Sequence, residues 1–293
     1  MNKFGGIMMK HKWGILGSCL VLIALLGGGF LWSQSRSHTT SRPARQNRVK
    51  WQATESKPVK KAATAKPWIK LKQPLKLPIL MYHSISSGNQ LRVPKKQFAS
   101  EMAYLKQHHY RTLTTTEAIR ALTTNSIPQK KVVWITLDDA YKDNLTNGLP
   151  ALKKYKLHAT INAITGFTHK HNHLSLAEMK RMKTTGRVDF ASHTVQHLNL
   201  DELTAAQQKQ ELVNSKRWLD QHLNQKTEML CYPAGRANAT THRLAKQSGY
   251  QIALTTQEGF ATMKQGHYNL SRLRITPGMT TATFADLIAV TNR

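Results

Sequence analysis

The stretch Val132-Val133-Trp134-Ile135-Thr136-Leu137-Asp138-Asp139-Ala140-Tyr141 decides the fold. Residues 131–137 form a short, largely apolar, β-branched run, which reads as a buried strand. Two carboxylates follow where that strand ends. Strand ends are where sites are built in α/β proteins. A second cluster, Ser192-His193-Thr194-Val195-Gln196-His197, lies about fifty residues on and also follows a strand-like run. Two Asp and two His brought to strand ends are the raw material of a metal site.

Working outward, apolar runs alternate with helical spacing. Residues 77–82 read as a strand ending at His83. The spacing of Phe98, Met102 and Leu105 predicts a helix over 94–109, with Pro94 in its first turn. A short helix is expected over 116–122. A helix over 144–155 follows the Asp pair, then a strand over 158–164. Ser175 with Glu178 three residues later opens another helix as a capping box. Residues 187–191 form the strand that leads to His193. A long amphipathic helix over 204–223 and a strand over 228–232 come next. A helix over 238–248, strands over 250–255 and 270–275, and a helix over 281–290 complete the series. Such alternation demands a parallel sheet with crossover helices. Seven or eight β/α units in about 215 residues suit a closed, irregular barrel better than an open sheet. No Gly-rich phosphate loop occurs, which counts against nucleotide binding.

Composition narrows the setting. The chain of 293 residues carries 43 Lys+Arg against 15 Asp+Glu, a formal charge of +28. Residues 33–76 hold 12 Lys/Arg and one acid, Glu55, whereas 77–293 hold 28 basic and 14 acidic residues. The basic residues are not interleaved with aromatics, so an anionic membrane or wall polymer is favoured over nucleic acid. Residues 13–32 are twenty residues without a charge, long enough to span a bilayer. Lys3, Lys10 and Lys12 precede them and predict a cytoplasmic N-terminus. The expected organisation is a signal-anchor over 1–32, a disordered basic linker over 33–76 and a catalytic domain over 77–293. That places the domain outside the cell on a single-pass anchor, or free if the segment is cleaved. The linker would act as a tether or lie against anionic lipid or wall polymer. Cys19 and Cys231 are the two cysteines, and Cys19 falls within the apolar segment, so no disulfide framework is expected.

His193 and His197 are four apart and can aim both rings at one point, and Asp139 supplies a hard oxygen. Two His and one carboxylate with open positions is the pattern of a catalytic divalent metal, zinc or another first-row ion. The His pair alone is a weak signal in a chain with 14 His. Asp139 and Asp143 alone would pass for a helix N-cap. Two adjacent acids at the end of a buried strand carry an electrostatic cost that favours function. The pattern suits hydrolysis, in which a metal polarises a carbonyl and a free Asp takes a proton from water. His83 is the best-placed acid for a leaving amine.

These residues resemble the polysaccharide deacetylases of the NodB-homology family, carbohydrate esterase family four. The resemblance rests on ILMYHSI at 79–85, WITLDDAYKDN at 134–144, SHTVQH at 192–197, YPAGR at 232–236 and LSRLRI at 270–275. Their order is similar to the poly-N-acetylglucosamine deacetylase branch. The resemblance implies a distorted (β/α) barrel of about seven strands and metal-dependent removal of acetyl groups from an N-acetylated polysaccharide, peptidoglycan or an exopolysaccharide. It implies Asp138 as general base, His83 as general acid, and Asp139, His193 and His197 as ligands of zinc, with cobalt or nickel as alternatives. The Ala234 amide would help hold the oxyanion, and Tyr141, Tyr232 and Arg236 would line the groove. Three departures stand out. The family's Gly after the Asp pair is Ala140, the aromatic after Pro233 is Ala234, and an Arg that steadies the base is replaced by Cys231. Arg272, or else Arg236, is expected to take that role. The competing reading is a catalytically silent glycan-binding or wall-anchoring protein on the same fold. The intact set Asp138, Asp139, His193, His197 and His83 argues against it.

Overall fold

The computed structural model describes residues 67–290 and 292. The expected membrane segment and residues 33–66 of the expected linker lie outside these. Among the described residues no helix is long and apolar enough to cross a membrane.

The described residues form ten strands and seven α-helices, most of the barrel strands separated by helices. The strands are β1 (Ile69–Lys70), β2 (Ile79–Tyr82), β3 (Arg111–Thr112), β4 (Ser126–Ile127), β5 (Val132–Asp139), β6 (Ala159–Ala163), β7 (Val188–Ser192), β8 (Met229–Cys231), β9 (Ile252–Glu258) and β10 (Leu270–Arg274). The helices are α1 (Lys95–Gln107), α2 (Thr115–Thr124), α3 (Leu149–Tyr155), α4 (Leu176–Lys183), α5 (Ala205–Leu223), α6 (Ala239–Gln247) and α7 (Thr281–Ile288). The main sheet runs β2-β10-β9-β8-β7-β6-β5, and β2 also pairs with β5, so seven parallel strands close on themselves. Two-residue β3 adds to the start of β5.

Side-chain parity explains why the strands read as unbroken apolar runs. Along β5, Val133, Ile135 and Leu137 face the helices, while Val132 and Trp134 join Ile79, Met229, Cys231, Ile252, Leu254 and Leu270 in the other core cluster, inside the barrel. Both faces are apolar over most of their length, so alternation appears only where inward positions near the rim turn polar.

Capping residues set several helix starts. Thr114, Ser175 and Thr204 each accept from the amide three residues on, and Glu117, Glu178 and Gln207 reach back in full capping boxes. Asn125 and Asn224 end α2 and α5 in the left-handed conformation.

Two expectations are corrected. Residues 67–76 do not continue the linker but lie against the barrel. β1 pairs antiparallel with β4, Leu71 and Leu75 are buried, and Asn125 donates to the carbonyls of Leu71 and Gln73. The Arg120 guanidinium covers the Trp68 ring at 4.1 Å. The many Lys residues hid these few apolar anchors. Also, the helix expected over 144–155 opens with a π-helical turn, Asn144–Gly148, before α3.

Candidate active site

The site lies at the rim where the parallel strands end. Asp138 shares the inward parity of Trp134 and is buried. Arg272 reaches it from β10, across the intervening β2. Its Nη1 donates to Asp138 Oδ1 at 2.9 Å and its Nη2 to Oδ2 at 2.8 Å. The guanidinium is also fixed by the Thr255 carbonyl at 2.8 Å and Thr136 Oγ1 at 3.1 Å. Asn162 Nδ2 donates to Asp138 Oδ1 at 2.7 Å, and Cys231 Sγ lies 3.7 Å from the same oxygen. Burial alone would raise this carboxyl's pKa, but the charge and hydrogen bonds of Arg272 hold it well below the usual carboxylate range. Asp138 is therefore ionised at any working pH. Its spare acceptor capacity is on Oδ2, where His83 Nε2 stands 3.7 Å away. Burial lowers the His83 pKa, against the raising effect of Asp138 and Asp139, so this imidazole is neutral at neutral pH.

Asp139 ends β5 with φ 71°, and Ala140 follows with φ 59°. This pair of left-handed residues turns the chain out of the strand. Asp139 Oδ1 lies 3.4 Å from His193 Nε2 and 3.5 Å from His197 Nε2. His193 Nδ1 is 2.8 Å from the Cys231 carbonyl, so it carries the proton there and leaves Nε2 facing Asp139. Glu211 on α5 shapes the turn between the two His, accepting from the amides of Val195 at 2.8 Å and Gln196 at 2.9 Å. From the other side, the amides of Thr165 and Gly166 donate to the carbonyls of Thr194 and Val195.

Asp139, His193 and His197 present ligand atoms within 4.8 Å of one another. Asp139 Oδ1 is buried and has no hydrogen bond. An orphaned carboxylate oxygen between two imidazole nitrogens fits a divalent first-row ion. Asp138, His193 and Cys231 form a second group within the same limit. It fits poorly, because Arg272 answers the Asp138 charge and the Cys231 carbonyl holds His193 Nδ1. Burial would lower the His193 pKa, but Cys231 and Asp139 raise it well above the ordinary value. Binding a cation between His193 and Asp139 would release that proton.

Nine described non-glycine residues have positive φ. Asn125, Lys156 and Asn224 cap helices, and His109 follows one. The other five, Asp139, Ala140, Thr194, His197 and Ala234, all belong to the site. Such conformations cost about 1–2 kcal/mol each and persist only where the surroundings enforce them.

Among the expected groove residues, Tyr141 stacks on His173 at 5.0 Å, and His173 meets Phe167 edge-on at 5.1 Å, which builds one wall. Burial and the nearby Asp139 push the Tyr141 phenol up to about 12, so it stays a donor. Ala234 is exposed just past β8, at the same rim. Tyr232 does not line the groove. It has the outward parity of Leu230, is buried with Leu200, Leu212 and Tyr250, and donates its hydroxyl to the Tyr268 carbonyl at 3.1 Å. Arg236 is paired with Asp201 and Glu202. It does not contact Asp138, and Arg272 does. Residues that sequence reasoning missed are Asn162, Glu211 and His173. Asn162, a polar side chain amid the apolar run Ala-Thr-Ile-Asn-Ala of β6, was the one with a visible signal.

The Polysaccharide deacetylase family model matches residues 125–253. YxkH of Bacillus subtilis, which bears the family's name, is 42% identical over 94% of this chain and 95% of its own. The chain belongs to the polysaccharide deacetylase family. This deacetylase is also 29% identical to the poly-beta-1,6-N-acetyl-D-glucosamine N-deacetylase of Staphylococcus epidermidis, over 68% of this chain and 74% of that one. Its fold matches the Streptococcus pyogenes deacetylase PplD, solved in complex with acetate, with TM-score 0.72 and 37% identity over 74% of this chain and all of that one.

Proposed function

We propose that this deacetylase is a metal-dependent hydrolase that removes N-acetyl groups from an N-acetylglucosamine polymer of the cell surface. The observation that carries the reading is the orphaned Asp139 Oδ1 facing two imidazole nitrogens, beside a carboxylate of Asp138 that is already ion-paired. A binding module has no use for a second, permanently charged carboxylate there.

Asp138 Oδ2 takes the proton of the attacking water. The Arg272 pair keeps Asp138 charged but makes it a weak base, so that water must itself be acidified. Asp139, His193 and His197 would hold a divalent ion, which when bound would supply that acidification and polarise the acetyl carbonyl. His83 Nε2, 3.7 Å from Oδ2, gives a path for the proton to the leaving nitrogen. The Ala234 amide, on the exposed rim, is the backbone donor for the oxyanion. Tyr141, backed by the buried His173, offers the sugar a flat aromatic face.

The relationship to the staphylococcal enzyme supports a poly-β-1,6-linked substrate. The uncharged segment 13–32 and the basic residues after it support an anchored domain outside the cell, near anionic lipid or wall polymer. Acetate release should be measured on poly-β-1,6-N-acetylglucosamine and on peptidoglycan, with and without chelator, for wild type and Asp138→Asn. Release that the chelator stops, zinc restores and the variant lacks is the expected result. No release from either polymer by zinc-loaded protein would leave the glycan-binding reading in its place.

A further inference from the structure

We infer that Asp143, Asn144 and Asn147 form a bracket that positions His83 for proton transfer. His83 lies past the end of its sheet. β2 pairs with β5 only up to Tyr82 opposite Leu137, and with β10 only up to Met81 opposite Arg274. Beyond Tyr82 the chain leaves the barrel sheet and keeps only an isolated backbone bridge from Ser84 to the 91–93 segment, which holds nothing of His83 itself, yet the imidazole must stand at a fixed place beside Asp138.

Side chains from the segment after the Asp pair supply what the sheet does not. Asn144 Nδ2 donates to the His83 carbonyl at 2.8 Å. Asp143 Oδ2 accepts from Ser84 Oγ at 2.6 Å, and its Oδ1 accepts from the Ile85 amide at 2.8 Å. Asn147 Nδ2 donates to the Ile85 carbonyl at 2.9 Å. Three consecutive residues, 83–85, are thus held from one side. Two of the bracket residues, Asn144 and Asn147, belong to the π-helical turn that replaces regular α-helix over Asn144–Gly148, and Asp143 immediately precedes it. π-turns inside helices recur at functional sites.

Asn144 also bears a cost that packing alone does not explain. It is 1% exposed, and its Oδ1 is buried with no hydrogen-bond partner. An apolar residue would avoid that lost solvation, so the amide is kept for its donor. The bracket runs from Asp143, four residues after Asp139, so the segment that carries base and metal ligand also holds the acid in register with them.

This inference rests on His83 acting as the acid, and the test separates the two. An amine must be protonated to leave, whereas 4-nitrophenolate leaves without a proton. Wild type, His83→Ala, Asn144→Leu, Asp143→Ala and Asp143→Asn should be compared on an N-acetylglucosamine oligomer and on 4-nitrophenyl acetate. Asn144→Leu and Asp143→Ala are expected to lose tenfold or more on the amide and less than threefold on the aryl ester, as His83→Ala does. Asp143→Asn, which keeps an acceptor for the Ile85 amide, is expected to lose less than Asp143→Ala. Equal losses on both substrates, or none on the amide, overturn the bracket. A His83→Ala enzyme without that selectivity overturns the acid assignment, and the bracket's role with it. Should Asn144→Leu not fold, Ser84→Ala removes one bond of the bracket and carries the same comparison, with a loss of about threefold expected on the amide alone.

Discussion

The guanidinium of Arg272 grips both carboxylate oxygens of Asp138 from 134 residues further along the chain. Both residues are buried, at 0% and 1% exposure. Breaking a buried pair by removing one partner costs about 3–5 kcal/mol, because the other charge is left uncompensated. Arg272→Met is therefore expected to lower stability by about that much in denaturant titration and to abolish acetate release. Adding Asp138→Leu should recover most of the stability and none of the activity. An Arg272→Met protein as stable as the wild type would contradict the pairing.

Metal loading has a signature apart from turnover. A ligand that binds only the folded state stabilises by about 2.7 kcal/mol at a hundred times its Kd. Zinc added to chelator-treated protein should raise the melting temperature of the wild type. It should raise that of Asp139→Asn and His197→Ala much less. An equal rise in all three would place the ion elsewhere.

Gly166 is not at the site, but it supports the turn that carries both His. A Cβ there would fall 2.5 Å from the Val195 carbonyl oxygen, and that oxygen already accepts from the Gly166 amide. Either this hydrogen bond or the path from His193 to His197 must shift. Gly166→Ala is expected to weaken metal affinity about 10–100-fold, the range seen for groups that orient ligands from behind. Metal titration checks this, and unchanged affinity would show that the turn adapts.

Glu101 gives the fold a pH dependence of its own. It is buried, accepts from Tyr82 Oη at 2.7 Å and Gln97 Nε2 at 2.9 Å, and burial raises its pKa from 4.5 to about 7. The folded state thus holds this proton more tightly than the unfolded state. The stabilising contribution is complete below pH 4.5 and is lost as pH rises through about 7. The shift corresponds to roughly 3 kcal/mol. Glu101→Gln is expected to be more stable than wild type at pH 8, with the advantage shrinking towards pH 4.5. A stability difference constant with pH would refute the assignment.

Much of the site was legible because strands end where polar residues begin. Asp138, Asp139 and His193 each follow an apolar run, and a period of two marks the inward side near the rim. Ile79, Met81 and His83 share one parity, as do Leu270 and Arg272. The same parity would have turned Tyr232 outward, next to inward Cys231. It was hidden because both faces of a parallel barrel strand are apolar, so alternation shows in only one or two residues. The grip of Arg272 was open in the sequence because Arg236 was equally near the motifs, and Asp201 and Glu202 could not be seen to hold it. The folding of residues 67–76 was missed because Leu71 and Leu75 are few among lysines. The π-turn leaves no mark on a helical repeat, since 144–148 keeps plausible helical spacing.

The position of β10 between β9 and β2 has a consequence for synthesis on the ribosome. Until Leu270–Arg274 emerges, the ring has a gap, and Asp138 has a neutral amide and a thiol for company instead of a cation. The strand that seals the seam also brings the opposite charge. Closure of the barrel and neutralisation of this buried carboxylate are therefore a single late event, and a nascent chain cannot complete one without the other.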